Sequence, residues 1–173
     1  MPDGTLDEDA ILPTTIDELV DGVRARLVAV VPGFAVEAFP DDPDTYQLTH
    51  ERGALLVGYA GEEFGPVLDV DATVQERRMA VQVSMLVRSL AGHARATAVY
   101  EQVRVSLTGY RVPGFDKLRP HRGRFLGVKS RVWTHALTFR AGTLGVELPD
   151  PTPEAVVAVL RRLTADIAPG PTA

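Results

Sequence analysis

The sequence predicts a single-domain α/β fold of the α+β kind, in which a mostly antiparallel sheet is flanked by helices. Three observations carry this reading. First, from Arg77 to Leu90 the side chains alternate. Met79, Val81, Val83, Met85 and Val87 fall on one face, and Arg78, Ala80, Gln82, Ser84, Leu86 and Arg88 on the other. That is the period of two a strand needs when one face packs on a core. A helix through the same residues would set Arg78 and Ser84 beside Met79 and Val83, a poorer separation. So long a strand is expected at the centre of a sheet, where both edges are paired. Second, apolar residues recur at helical spacing in residues 16–30, 93–108 and 152–167. Third, 173 residues, with no internal repeat or dividing linker, suit one core that buries about 70% of the unfolded surface.

Taken in order, residues 1–13 are acidic and read as a loose tail, 14–168 as the domain, and 169–173 as a second tail. Thr15-Ile16-Asp17-Glu18 fits a capping box, in which the threonine hydroxyl and the glutamate carboxylate satisfy each other's backbone N–H. Ile16, Leu19, Val20, Val23, Leu27 and Val30 then form the stripe of a first helix, expected to dock on the Met79–Val87 face, and Pro32-Gly33 ends it. Residues 33–39 read as a short strand, 40–44 as a turn, and 46–49 as a second short strand. Ala54–Tyr59 is apolar on both faces, as an interior strand would be. Residues 61–73 read as a polar, glycine-containing loop. After the long strand, Ala96, Val99, Val103 and Leu107 mark a second helix, with Gly109 just past its end. Residues 110–124 read as an irregular basic connection, followed by a short strand at 124–128 and an alternating one at 131–140. Thr152-Pro153-Glu154 opens a last helix with a cap, a first-turn proline and an acid near the positive helix end.

A hydrophobic share of 45% with 24% charged residues is ordinary for a globular chain. No run of eighteen apolar residues supports a membrane span. The acidic start lacks the layout of a secretory signal. The absence of cysteine excludes disulfides and thiolate metal sites, and the expected compartment is a cytoplasm.

Charge is distributed unevenly. Residues 1–76 hold 17 acids and 3 bases, and residues 77–173 hold 6 acids and 15 bases. Arg104, Arg111, Lys117, Arg119, Arg122, Arg124, Lys129 and Arg131 crowd a stretch whose single acid is Asp116. Three readings compete. The halves neutralise each other within one fold, or the basic stretch binds nucleic acid, or the acidic part of one copy meets the basic part of the next. Only Phe115 and Phe125 are placed to stack on bases, and arginine outnumbers lysine sixteen to two. Arginine suits bidentate pairing with carboxylates at protein interfaces, which tilts the balance toward subunit contact.

Catalytic signals are weak. There is no G-x-S-x-G, G-x-G-x-x-G or P-loop, and the four histidines lack the spacing of a zinc helix. His50 and His121 read as solvated, His93 as a capping or surface residue, and His135 as a hydrogen-bonded core or interface residue. Glu62, Glu63, Asp69 and Asp71 lack the ligand pattern of a calcium loop. No enzyme activity, catalytic residue, metal or cofactor is expected.

One ordered series is specific. It runs through Gly53-Ala54-Leu55-Leu56-Val57, Gly61, Phe64-Gly65-Pro66, Arg88-Ser89-Leu90 with Gly92-His93, and Leu107-Thr108-Gly109-Tyr110. It continues through Pro113-Gly114, Lys117-Leu118, Phe125-Leu126-Gly127, Val132-Trp133 and Ala136-Leu137-Thr138-Phe139. Over residues 15–145 this series resembles the Mu-like phage tail-terminator family. The resemblance implies a structural protein of a contractile tail or tail-like injection particle. It would form a ring, expected to be hexameric, that caps the tube, holds the last sheath ring and faces the neck or head. Implied partners are further copies of itself, the tube protein, the sheath protein and neck or head–tail connector proteins, with no membrane and with DNA only as passing cargo. The implied place is the virion tail, assembled in a bacterial host cytoplasm. The alternatives are a head–tail connector ring and a DNA-binding accessory protein. Interface residues expected from the loops are Glu62, Glu63, Phe64, Asp69, Asp71, Arg111, Lys117, Arg119, Arg122, Arg124, Lys129 and Arg131.

Overall fold

The computed structural model describes residues 15–68, 73–89 and 93–147. Helix α1 (Ile16–Val30) begins with the expected capping box. The Glu18 N–H donates to Thr15 Oγ1 at 3.2 Å, and the Thr15 N–H donates to Glu18 Oε2 at 2.7 Å. Its buried face is Leu19, Val23 and Leu27. The chain leaves through Gly33 at φ +86, a left-handed conformation that favours glycine, and enters β1 (Ala35–Ala38).

Strand β2 (Gly53–Val67), strand β3 (Val74–Arg88), helix α2 (His93–Leu107), strand β4 (Arg119–Lys129) and strand β5 (Val132–Val146) follow. The five strands form one sheet in the order β1-β2-β3-β5-β4. The β1–β2 pair is parallel and every other pair antiparallel. The alternating stretch is therefore the central strand, as its length implied. Met79, Val81, Val83, Met85 and Val87 are all fully buried. They join Leu55 and Val57 of β2, Leu137 and Phe139 of β5, and the buried stripes of α1 and α2 in one cluster. The two helices lie antiparallel on that face, where Arg26 Nε donates to the Ser106 carbonyl and Gln102 Nε2 to that of Val30. Gly22 gives the loop after α2 room to approach, since a Cβ there would lie 2.5 Å from Val112.

The structure corrects four sequence expectations. Residues 61–67 are strand rather than loop: β2 runs on to Val67, and β3 starts at Val74. Register shifts between Tyr59 and Glu62, with Gly61 at φ +107, and between Phe64 and Val67 absorb the glycines and Pro66 without ending the ladder. Residues 46–49 form no strand. Instead, the Leu48 and His50 carbonyls accept hydrogen bonds from the Arg88 guanidinium. The basic connection after α2 becomes strand at Arg119 rather than at Arg124. Pro120 is tolerated there because β4 is an edge strand. Finally, β5 extends six residues beyond Arg140 and pairs along the whole of β3. The expected last helix and both expected tails lie outside the described residues.

Two substitutions test this account by urea denaturation. Thr15→Ala should remove the reciprocal cap and cost about 1 kcal/mol. Gly53→Ala should cost at least about 2 kcal/mol, because φ is +135 and the new Cβ would sit 2.1 Å from the Leu86 carbonyl oxygen. A neutral Gly53→Ala would show that the β2–β3 ladder does not start as described.

Candidate functional site

Beyond Met79 the sheet runs past the helices as a three-stranded arm made of the ends of β2, β3 and β5. At about 3.4 Å per residue, the β3 part alone reaches about 17 Å. No described residue of this arm is buried in β2 after Val57, in β3 before Met79, or in β5 after Ala141. Tyr59, Phe64, Val67, Leu68, Leu144 and Val146 are exposed there. Cross-strand register puts Phe64 on the same face as Arg77 and Met79, and Leu144 and Val146 on the other. Apolar side chains on both faces of an uncovered ribbon form a patch of the kind that marks a contact surface.

The acids expected at an interface are matched within the chain. Glu62 pairs with Arg77 in a half-buried bridge, Glu63 Oε1 accepts from Arg140 Nη2 at 2.7 Å, and Glu76 pairs with Arg78. Each bridge joins an acid of the N-terminal half to a base of the C-terminal half, two of them between strands and Glu76–Arg78 within β3, so part of the charge asymmetry is neutralised within the sheet. Phe64 keeps more than half of its surface exposed, at 59%. Asp69 and Asp71 lie outside the described residues.

The bases behave differently. Among the described residues, Arg111, Lys117, Arg119, Arg122, Arg124, Lys129 and Arg131 form no salt bridge. Arg111 and Lys117 face each other in an isolated antiparallel bridge that closes the loop before β4. Arg119, Arg122, Arg124 and Lys129 pair with Arg140, Thr138, Ala136 and Val132, which places these four bases on the sheet face opposite α1 and α2. Arg131 sits in the turn between β4 and β5. Phe125 and Val128 point to the helix side, and Phe125, Leu126 and Val128 are all exposed. The β4 edge is thus basic on one face and apolar on the other.

The two segments read separately from sequence meet in space. An open cleft of about 700 Å³ is lined by Glu76, Arg77 and Arg78 of the arm together with Arg111, Asp116 and Arg119. Sequence reasoning missed Tyr59, Val67, Leu68, Leu126, Val128, Leu144 and Val146 as surface residues. Tyr59, Leu126 and Val128 fall in stretches that read as strands, Val67 and Leu68 in one that reads as a loop, and Leu144 and Val146 beyond the last expected strand; only the ends of the helices reveal that nothing described covers them.

Beside β4, rings gather around His135. Phe125 lies 5.0 Å and Tyr100 5.7 Å from it, while His93 packs edge-on to Trp133 at 5.3 Å. His135 is buried, and its Nε2 has no hydrogen-bond partner. Burial, and then the neighbouring His93, push its pKa below the usual histidine value. The expectation of a core histidine holds in burial, but its Nε2 carries no hydrogen bond. Among the described residues, no three His, Cys, Asp or Glu side chains group so as to hold a metal ion. No described helix is long and apolar enough to cross a membrane.

Comparison with known proteins adds a family. Residues 23–164 match the family described as Gp37 protein. A chain from the virion of a native gene transfer agent particle is similar at 22% identity, with a TM-score of 0.47 over 73% of this chain and 95% of that one. A chain from the sheath/tube terminator, in its extended state, of an extracellular contractile injection system called PVC is similar at 12% identity. Its TM-score is 0.44 over 93% of this chain and 74% of that one. No curated protein matches the chain.

The His135 environment sets a pH dependence. Above about pH 6.5 the imidazole is neutral whether the chain is folded or unfolded. Below that value the unfolded chain takes the proton first, because the folded-state pKa is depressed. Stability should therefore fall as the pH drops from about 6.5 toward the lower folded-state value. His135→Phe should flatten that slope in denaturation curves between pH 7 and pH 5. An unchanged slope would assign the effect to other groups.

Proposed function

The chain belongs to the Gp37 protein family, and on that premise we propose that it is the structural tail terminator of a contractile phage tail or tail-like injection particle. In this reading copies of the chain close into a ring, expected to be hexameric, that caps the tube and anchors the last sheath ring. Its other side meets the neck or head. The ordered sequence resemblance over residues 15–145 supports this reading, and its pieces fall on structural landmarks. Gly53–Val57 opens β2, Leu107–Tyr110 closes α2 through Gly109 at φ +78, and Ala136–Phe139 is the middle of β5.

The observation that carries the reading is the juxtaposition of the apolar arm with the basic edge strand β4 around one open cleft. A ring of identical subunits needs two unlike surfaces on each copy, so that one docks on the other and the chain of contacts closes. The arm and the β4 edge are unlike in chemistry, and both are exposed. Bases on an edge strand also discourage indiscriminate strand pairing, but exposed Phe125, Leu126 and Val128 on the same strand oppose a purely protective role. No reaction is assigned to the chain. The salt-bridge-free bases favour a second reading, a DNA-binding accessory protein, which would show steep salt-dependent binding to duplex DNA.

Two experiments test the proposal. Mixing the protein with polymerising tube protein should yield tubes that stop growing and carry a ring at one end in negative-stain images. Tubes of unaltered length without end rings would refute it. Replacing Arg119, Arg122 and Arg124 by Glu should leave the melting temperature within a few degrees while abolishing ring assembly at low salt, since β4 is exposed along its length. Rings that form unchanged would remove β4 from the interface.

A further inference from the structure

At the end of the sheet away from the arm, four arginines converge on a concavity of about 350 Å³. They are Arg52, Arg88, Arg95 and Arg131. Separate segments supply them: the residue before β2, the last residue of β3, the first turn of α2 and the β4–β5 turn. Two are held in place by the fold. The Arg52 guanidinium lies over the Phe34 ring at 5.4 Å and occupies the space beside Gly33, where a Cβ would be 2.2 Å from its Nη1. Arg88 donates to the Leu48 carbonyl at 2.6 Å and to that of His50 at 3.3 Å. Backbone bonds tie the segments together, from Arg88 N–H to the Arg52 carbonyl and from Ser89 N–H to the Arg131 carbonyl.

The lip of the concavity is strained. Ser130 and Arg131 have φ of 50 and 62, the left-handed region where glycine or asparagine is usual in a two-residue hairpin turn. Serine and arginine there place a hydroxyl and a guanidinium at the rim, where Asn-Gly would make the easier turn. Among the described residues, Arg52, Arg95 and Arg131 form no salt bridge, and Glu51 is the one acid of the lining. Four guanidiniums set against one carboxylate leave an excess of positive charge, and an incoming anion would relieve their mutual repulsion.

We infer that this concavity is a binding site for side-chain carboxylates on a short acidic segment of a protein partner. The planar guanidinium fork fits a carboxylate bidentately, and several forks from different directions suit a cluster of them. A nucleic-acid strand fits less well. Its phosphates come in a row and its bases need open rings, whereas these charges converge on a point, Phe34 is already covered by Arg52, and Glu51 stands on the rim. The site lies apart from the arm and the 700 Å³ cleft, and its chemistry does not depend on whether the chain caps a tube.

The test uses the full chain and a fluorescein-labelled hexaglutamate peptide, followed by anisotropy at low salt. A variant carrying Arg95→Gln and Arg131→Gly removes two guanidiniums, and glycine relaxes the left-handed turn, so the fold is expected to persist with an unchanged melting temperature. Peptide affinity should fall by about tenfold or more. A control variant, Arg24→Gln with Arg104→Gln on the helices, should bind within about twofold of the parent chain, because those residues lie outside the concavity. Undiminished binding in the first variant, or an equal loss in the control, would overturn the assignment. So would tighter binding of a twelve-base DNA strand that the first variant abolishes. The peptide assay reads this site alone, whereas tube capping reads the terminator role, so either can fail without the other.

Discussion

The ladder that β3 makes with both neighbours governs this molecule. β3 pairs residue for residue with β5 from Val74–Val146 to Arg88–Val132, and with β2 from Gly53 to Val67 apart from two shifts. Because the strand's period is two, that double register sends Met79, Val81, Val83, Met85 and Val87 to the same face, where α1 and α2 cover them. A slip of one residue on either side would turn this row outward. Full burial of an aliphatic side chain is worth about 1.5–3 kcal/mol, so the slip would forfeit most of the core.

The same ladder creates the surface on which the functional reading rests. Helices α1 and α2 are fifteen residues each, and so are β2, β3 and β5. A helix rises about 1.5 Å per residue and a strand about 3.4 Å, so strands of equal residue count outrun the helices packed on them. The arm is that excess. It is stabilised internally by the ladder and by the Glu62–Arg77, Glu63–Arg140 and Glu76–Arg78 bridges, and its exposed apolar residues are left for another surface. At the opposite end the strands stop in turns, and arginines from four segments gather there instead.

Charge shows why composition alone misleads. The acidic first half and basic second half suggest two poles, yet three described ion pairs join acids of one half to bases of the other: Glu62–Arg77 between β2 and β3, Glu63–Arg140 from β2 to β5, and Glu76–Arg78 within β3. Among the described residues, the bases left without an ion pair include those of β4, the loop before it and the turn after it, together with Arg52 and Arg95. Glu62 and Glu63 are thus better understood as part of the arm's internal support than as free acids awaiting a partner.

Local sequence determined the elements whose signals are short-range. The capping box at Thr15, the stripe Ala96, Val99, Val103 and Leu107, the left-handed Gly109 and the alternation of β3 are each fixed by neighbours within a few positions, so each was legible. The basic residues of the candidate surface were legible as well, because charge needs no fold to be counted. Tertiary structure decided the rest. Gly61, Gly65 and Pro66 look like loop residues, and only pairing with β3 through two register shifts holds them in a strand. Tyr59 falls in a stretch that reads as an interior strand, and only the shorter reach of the helices leaves it exposed. Arg52, Arg88, Arg95 and Arg131 are up to 79 positions apart in sequence. Sheet order alone brings them together, since long-range pairing, unlike helix periodicity, leaves no local mark on the residues it unites.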